Sequence, residues 1–382
     1  MVIFKLIKKT FKWLFIALVV LLILANAFIL VTGRTYLYKA VACTYLVGQK
    51  GPGILDKDFF PYRNIESSQP QPWPLHSNYN KKNIDDDLLN KLDDINTTSF
   101  LIIKNDSLYF EKYWPGFDAS TVSNSFSVAK SVVSLLIGVA IHDSLIKSID
   151  QPVADFLEEF NTENKKRVTL RHLLTMSSGS DWTESGGNPL SHNAEAYYSS
   201  DLEKVMNKIE YPDQPGKNFY YQSGNTQTLG FVLEKVSGKT LSQYASEKLW
   251  QPMGAESDAY WSLDKEDGHE KAYCCIYSTA RDFARLGKLM LQGGRWNNRQ
   301  LVPADYIKEC ITLAPLLEEN GEPNKKYGLS WWITTHQNEE IFYARGILGQ
   351  YIICIPSQNV IIVRTGHKRG VKYSSDHPSD VY

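Results

Sequence analysis

Several catalytic signatures are missing from this chain of 382 residues. No G-x-S-x-G elbow occurs, which removes the strand-turn-helix serine of α/β-hydrolases. No G-x-x-x-x-G-K loop occurs, so there is no glycine cradle for phosphates. The eight histidines are scattered, without a His-x-x-x-His pair, and no Cys/His cluster has metal-ligand spacing. No metal or other cofactor is expected. Charge of one sign is missing too: 42 acidic residues face 41 basic ones. That balance supplies no field to recruit nucleic acid. Cysteine is sparse and odd in number, five in all, with no regular spacing. This argues against a disulfide framework. Cys274 and Cys275 are neighbours, and neighbours rarely bond without strain. Cys310 and Cys354 stand alone in apolar surroundings. Buried free thiols are the expected state.

A long apolar run is present at the start. Trp13–Gly33 contains no charge. At about 1.5 Å per residue it spans about 31 Å, enough to cross a bilayer core. Lys5, Lys8, Lys9 and Lys12 precede it, and only Arg34 and Lys39 follow closely. Positive-inside bias then puts residues 1–12 in the cytoplasm and residues 34–382 outside. The expected location is the cell membrane, single-pass, with the domain extracytoplasmic. The rival reading is a cleaved signal peptide, with Ala25-Asn26-Ala27 as the small-residue site. Against it, Phe28-Ile29-Leu30-Val31 carries the apolar run past that cut. Residues 34–80 hold Gly51-Pro52-Gly53 and Gln69-Pro70-Gln71-Pro72-Trp73-Pro74. They read as a tether and lead-in that holds a domain off the membrane. Phe59-Phe60-Pro61-Tyr62 reads as a packed part of that lead-in.

The globular part begins near residue 81. Its most informative stretch is Ser127-Val128-Ala129-Lys130, an S-x-x-K at the head of the apolar run Ser127–Ile141. Ser123, Asn124 and Ser125 supply capping-type residues before it. Residues three apart share a helix face, so Ser127 and Lys130 should meet. The first turn offers free N–H groups and the positive end of the helix dipole. An ammonium buried in an apolar wall tends to lose its proton and can act as a base. Those are the parts of an activated nucleophile. Alone, S-x-x-K is a cheap pattern that arises by chance.

Context adds to it. Pro215-Gly216 marks a turn, followed by Tyr220-Tyr221-Gln222-Ser223-Gly224-Asn225 and the apolar run Leu229–Val236. Val168–Gly179 (VTLRHLLTMSSG), Ile276–Gly287 (IYSTARDFARLG) and Tyr327–Trp332 (YGLSWW) stand in order along the chain. Over residues 80–370 the chain resembles the serine β-lactamase and penicillin-binding-protein superfamily. Within it, the chain looks like the branch of class C β-lactamases, D,D-peptidases, esterases and 6-aminohexanoate-dimer hydrolases. Tyr221-Gln222-Ser223 matches that branch's second motif, and Met176 replaces its usual His. The third motif departs. Where the family has K-T-G or H-x-G, this chain has Ala344-Arg345-Gly346.

The resemblance implies acyl transfer on an amide or ester, with a small molecule or peptide as substrate. Ser127 would attack, while Lys130 and Tyr221 would share its proton. The backbone N–H groups of Ser127 and Ile347 would receive the oxyanion. Ser223 would orient Lys130; otherwise it is a turn serine, and Asn225 fills that role two positions late. Arg345 either holds a substrate carboxylate or joins a surface ion pair. Gly346 would let substrate approach the strand. Asp181 and Tyr198, in the intervening loop, are candidate substrate contacts, with packing as the alternative. A non-catalytic sensor or binding module is the reading from another class, and the altered third motif leaves room for it. Among enzymes, D,D-peptidase and β-lactamase remain open beside esterase and amidase.

Phe100–Lys104 and Ser107–Tyr113 read as a hairpin around Asn105-Asp106. Residues 142–260 are mainly helical in pattern, and strands return over 339–345, 350–356 and 359–365. The implied fold is α+β: an antiparallel sheet flanked by helices with an inserted, mainly helical lobe, β-lactamase/transpeptidase-like, after an N-terminal transmembrane helix. The hydrolase domain is placed at 81–382. Nothing in the pattern speaks to oligomeric state.

Overall fold

β-Branched and aromatic residues in Thr97–Lys104 and Ser107–Tyr113 pair antiparallel. Asn105 and Asp106 close the turn at φ 49° and 59°, the pair of positive values that a two-residue hairpin turn demands. In this computed structural model, which describes residues 2–374 and 376–382, that hairpin edges a six-stranded sheet. The order is Ser107–Tyr113, Thr97–Lys104, Val360–Gly366, Gln350–Ile355, Glu339–Gly346 and Trp332–His336. Every neighbouring pair is antiparallel. Strands distant in sequence therefore meet at the centre, and the helical segments fill the interval between them.

The Val128–His142 helix is buried from Val128 to Ala140. A helix that is apolar all round belongs in a core, and this one packs between the sheet and the Ser223–Ser237 helix. Ala280–Leu291 covers the same sheet. The shorter helices of residues 170–245 build the inserted lobe. The expected α+β architecture is therefore present.

Residues 34–80 are held more closely than a tether implies. Tyr62–Ile65 joins a second, four-stranded sheet beside Ala259–Ser262. Arg63 pairs with the buried Glu270 at 2.6 Å. The Gln71 N–H donates to the Gly254 carbonyl at 2.9 Å, and Trp73 is buried with its indole N–H on the Arg281 carbonyl at 2.9 Å. Phe60 is buried, as expected of a packed lead-in. Proline breaks periodicity without freeing the chain, because the domain supplies partners for the extended backbone.

The cysteine expectation needs one correction. Cys274 and Cys275 are joined as a disulfide across a trans peptide, with Cα atoms 3.7 Å apart. Cys275 lies at φ +69°, and that left-handed turn aims its side chain at its neighbour. Spacing rules assume ordinary backbone and miss this case. Cys310 and Cys354 are buried free thiols as expected. Alkylating the denatured, unreduced chain should label only Cys43, Cys310 and Cys354. Five labels without reduction would show that the adjacent pair is open.

Candidate active site

The approach to Ser127 is strained. Phe126, just before it, is buried with φ +45°, a region bulky residues avoid. Its N–H donates to the Asn124 Oδ1 at 2.9 Å. The Ser125 N–H donates to the Ile276 carbonyl at 2.7 Å, and the Ser125 Oγ accepts from the Ile276 N–H at 3.2 Å. Ser123, Asn124 and Ser125 therefore brace the approach rather than cap the helix. Ser127 occupies the N-cap position and no side chain caps the first turn. The Val128, Ala129 and Lys130 N–H groups instead bond back to the carbonyls of Ser125, Phe126 and Ser127 at 3.2, 3.1 and 3.1 Å, and among the described residues the Ser127 N–H makes no hydrogen bond, which leaves it for an incoming anion.

Lys130 is 1 % exposed. Its Nζ donates to the Ser127 Oγ at 3.0 Å and to the Tyr273 carbonyl at 2.9 Å. The Tyr221 ring centre lies 5.1 Å from the same nitrogen, and that of Tyr273 5.6 Å. Ser127, Lys130 and Tyr221 are thus brought together. Tyr273 was not foreseen: its carbonyl acts from 143 residues away, and no spacing pattern marks a backbone oxygen. Burial holds the Tyr273 phenol well above its usual pKa, so it stays protonated. The Cys274–Cys275 disulfide follows this carbonyl directly in the chain.

Ser223 does not orient Lys130. Its Oγ donates to the Glu184 Oε1 at 2.8 Å and its N–H donates to the Glu184 Oε2 at 2.8 Å. Glu184 also accepts from the Trp182 indole N–H at 2.8 Å. The acid thus fixes the start of the second-motif helix, where a negative charge is favoured. Asn225 does not take over that role, nor does it face a substrate: it is buried, accepts from the Ser178 Oγ at 2.6 Å and donates to the Met176 sulfur at 3.8 Å. Met176 receives the Gln222 N–H at 3.5 Å on the same sulfur. The residue that replaces the usual His thereby buttresses Tyr221-Gln222-Ser223 from behind.

Two loop candidates fall away from the cleft. The Asp181 carboxylate is exposed and accepts from the Glu210 N–H at 3.0 Å. Tyr198 is buried against Tyr197 and Phe60, with ring centres 4.9 and 6.2 Å away. Loop position alone could not separate these packing roles from substrate contact.

The third motif closes the site. A Cβ on Gly346 would meet the Ser125 carbonyl at 2.3 Å and the Phe126 Cβ at 3.2 Å. The glycine therefore serves a close approach between this strand and the Ser127 approach segment, rather than between strand and substrate. Ile347 follows in a helical turn and is 44 % exposed. Arg345 lies over the Trp332 ring at 3.4 Å and donates to the Asp376 carbonyl at 2.8 Å. With Phe219, Tyr221, Trp332, Lys326 and Arg369 it lines a cleft of 250 Å³. Asp376 is opposed by burial, but its bonds from Lys326 and Lys372 win and bring its carboxyl to about 2. Burial, with Arg345 and Lys326 nearby, lowers His377 to about 4, so this wall keeps fixed charges at neutral pH. Arg345 thus borders the cleft beside Tyr221, rather than pointing into a surface ion pair.

Known proteins share this fold. The family model described as Beta-lactamase matches residues 86–377. A 6-aminohexanoate-dimer hydrolase of Paenarthrobacter ureafaciens is 25% identical over 295 residues, covering 73% of this chain and 74% of that protein. A solved Bacillus anthracis structure, provisionally assigned as a 6-aminohexanoate-dimer hydrolase, superposes with TM-score 0.73 at 24% identity, over 85% of this chain and 88% of its own. A penicillin-binding protein of Bacillus halodurans gives TM-score 0.58 at 19% identity, over 74% and 95%. The last two likenesses speak for the fold. The match of the family model over most of the chain shows that this protein belongs to the Beta-lactamase family of serine hydrolases and penicillin-binding proteins.

Proposed function

We propose that the chain is a membrane-anchored serine hydrolase that cleaves an amide or ester through an acyl-enzyme on Ser127. The observation that carries the reading is the 3.0 Å contact between the Ser127 Oγ and the buried Lys130 Nζ, at the uncapped start of a helix. Ser127 attacks the carbonyl carbon. Its proton leaves along the Oγ–Nζ line and passes, with Tyr221 beside Lys130, to the departing amine or alcohol. Water then attacks the ester, and the acid is released as Ser127 regains its proton. The N–H groups of Ser127 and Ile347 receive the oxyanion, a contribution of about 3 kcal/mol per donor. The Paenarthrobacter relative is named for hydrolysis of an amide dimer, which favours amide or ester over a β-lactam. An intact Ser127–Lys130 contact weighs against a purely binding role.

The location belongs to the same proposal. The helix Val2–Thr32 contains an apolar stretch, Leu6–Thr32, long enough to cross a membrane. Its lysine-rich start favours an extracytoplasmic domain. A disulfide in the domain supports an oxidising compartment.

Full-length protein in mild detergent should gain a single fluorophosphonate adduct, lost in Ser127→Ala. Ester turnover in that variant should fall by at least about three orders of magnitude. An adduct that survives the substitution would sink the assignment. Lys130→Ala should slow acylation comparably, and an unchanged burst would place the base elsewhere. Gly346→Val should push the strand off Ser125 and lower kcat by about a hundredfold, with the melting transition retained. An unchanged kcat would show that the close approach does not position the site.

A further inference from the structure

The first residues beyond the apolar helix turn back on it. The Tyr38 hydroxyl donates to the Asn26 Oδ1 at 2.8 Å. Asn26 lies six residues before the helix end at Thr32, about 9 Å inside it along the axis. Arg34 donates to the Tyr36 hydroxyl at 3.1 Å and to the Leu190 carbonyl at 3.3 Å, and the Tyr36 hydroxyl donates to the Pro189 carbonyl at 2.9 Å. The short helix Tyr36–Ala42 is thereby fastened to the inserted lobe at the level of the last turns of the span. A tether would have left a gap here. Instead the domain begins where the bilayer's polar layer lies.

Two features of that foot are unmatched by the protein. The first is apolar exposure. Tyr45 and Leu46 are 70 % and 76 % exposed, Val41 and Val47 are exposed near them in sequence, and Leu55 is exposed further along. The second is a groove of 300 Å³ that starts at Gly33 and runs past Lys39 to Ser200, Asp201 and Lys204, where the Asp201 carboxylate is engaged by the Lys204 backbone N–H at 3.0 Å. Lys208, also on it, is paired with Glu195 at 2.6 Å. Among the described residues, neither Lys39 nor Lys204 has a carboxylate at ion-pair distance. Lys39 is half-buried over the Phe60 ring at 4.5 Å. Behind it Lys271 is 0 % exposed, donates to the Tyr197 carbonyl at 2.7 Å and lies 3.3 Å over the same Phe60 ring. Burial lowers the pKa of both lysines, the direction that an anion in the groove would oppose.

We propose that residues 33–55 form a lipid-docking foot, whose groove between Lys39 and Lys204 takes the phosphate of an anionic phospholipid. The proposal rests on the retained anchor. Continuity with the span names the occupant: Gly33 lines the groove and is the residue after the membrane helix, so phospholipid headgroups are the anions at that depth. Tyr38 and Tyr45 are placed as interfacial aromatics, with an apolar ring and a polar tip at the boundary. Leu46 and Val47 enter the acyl edge beside them.

The test uses the full-length chain in neutral detergent, followed by native mass spectrometry with phosphatidylglycerol, phosphatidylcholine or inorganic phosphate added. Phosphatidylglycerol should be retained preferentially, and Lys39→Gln/Lys204→Gln should weaken that retention by about tenfold, without changing phosphatidylcholine. Equal retention of the two lipids, or no change in the variant, would overturn the proposal. Retention of inorganic phosphate with indifference to both lipids would overturn it as well. In vesicles, a fluorophore on Leu46→Cys should be quenched by lipids labelled near the top of the acyl chain; no quenching would remove the foot. Cellular protein that begins after Ala27 would overturn the anchor and the foot together, whereas failure of the lipid arms with the span intact overturns the foot alone.

Discussion

The side-chain nitrogen of Lys130 has two partners, and the rest of the site is arranged around them. One is the Ser127 hydroxyl, a turn away on the same helix; the other is the Tyr273 carbonyl, brought in from a different part of the lobe. A lysine this deeply buried must have its donors occupied, since an unmet polar group inside a protein costs about 1–3 kcal/mol. The carbonyl therefore does more than fill a gap. It pins the Nζ against the serine and leaves the Tyr221 ring as the third wall. Tyr273 stands directly before the bonded Cys274–Cys275 pair, and the Cys274 carbonyl accepts from the Trp261 indole N–H at 3.0 Å. The segment that presents the carbonyl is thus held from both sides of the chain.

The position of Ser127 depends on a second constraint, contact between backbones. Phe126 at positive φ and Gly346 without a side chain together let the third-motif strand press on the Ser125 carbonyl. This fixes the distance between the Ser127 N–H at the helix start and the turn that begins at Ile347. Preorganised donors stabilise a developing charge because they need no rearrangement when it forms. The strained residue and the glycine are two halves of one device, one on the helix approach and one on the sheet. The substituted family position, Arg345, then lies over Trp332 and hands the cleft a cationic, aromatic edge.

The second motif is held by partners of a different kind. Glu184 takes both donors of Ser223, and Met176 lies behind Gln222 and Asn225. These contacts keep Tyr221 turned toward Lys130 without any of the three touching the lysine. The lead-in plays a similar part for the domain: Arg63 and Trp73 bind segments that follow the second motif, and Phe60 packs on Tyr197 and Tyr198 before it.

Local features were legible from residue order. The apolar helix after Ser127, the Asn105-Asp106 hairpin, the returning strands and the membrane-length run each depend on a period or a turn residue inside one element. The meeting of Ser127 with Lys130 belongs to this class, because three residues on a helix fix it. What the tertiary structure decided lies between elements. Ser223 turned to Glu184 and Asn225 went into the core; Tyr198 packed on Phe60, and Tyr273 offered a carbonyl to Lys130. Periodicity assigns a residue to a face, but not what faces it from a hundred residues away. The adjacent disulfide and the docked lead-in were hidden for a related reason: a left-handed backbone at Cys275 and carbonyls borrowed from a distant loop leave no mark on residue order.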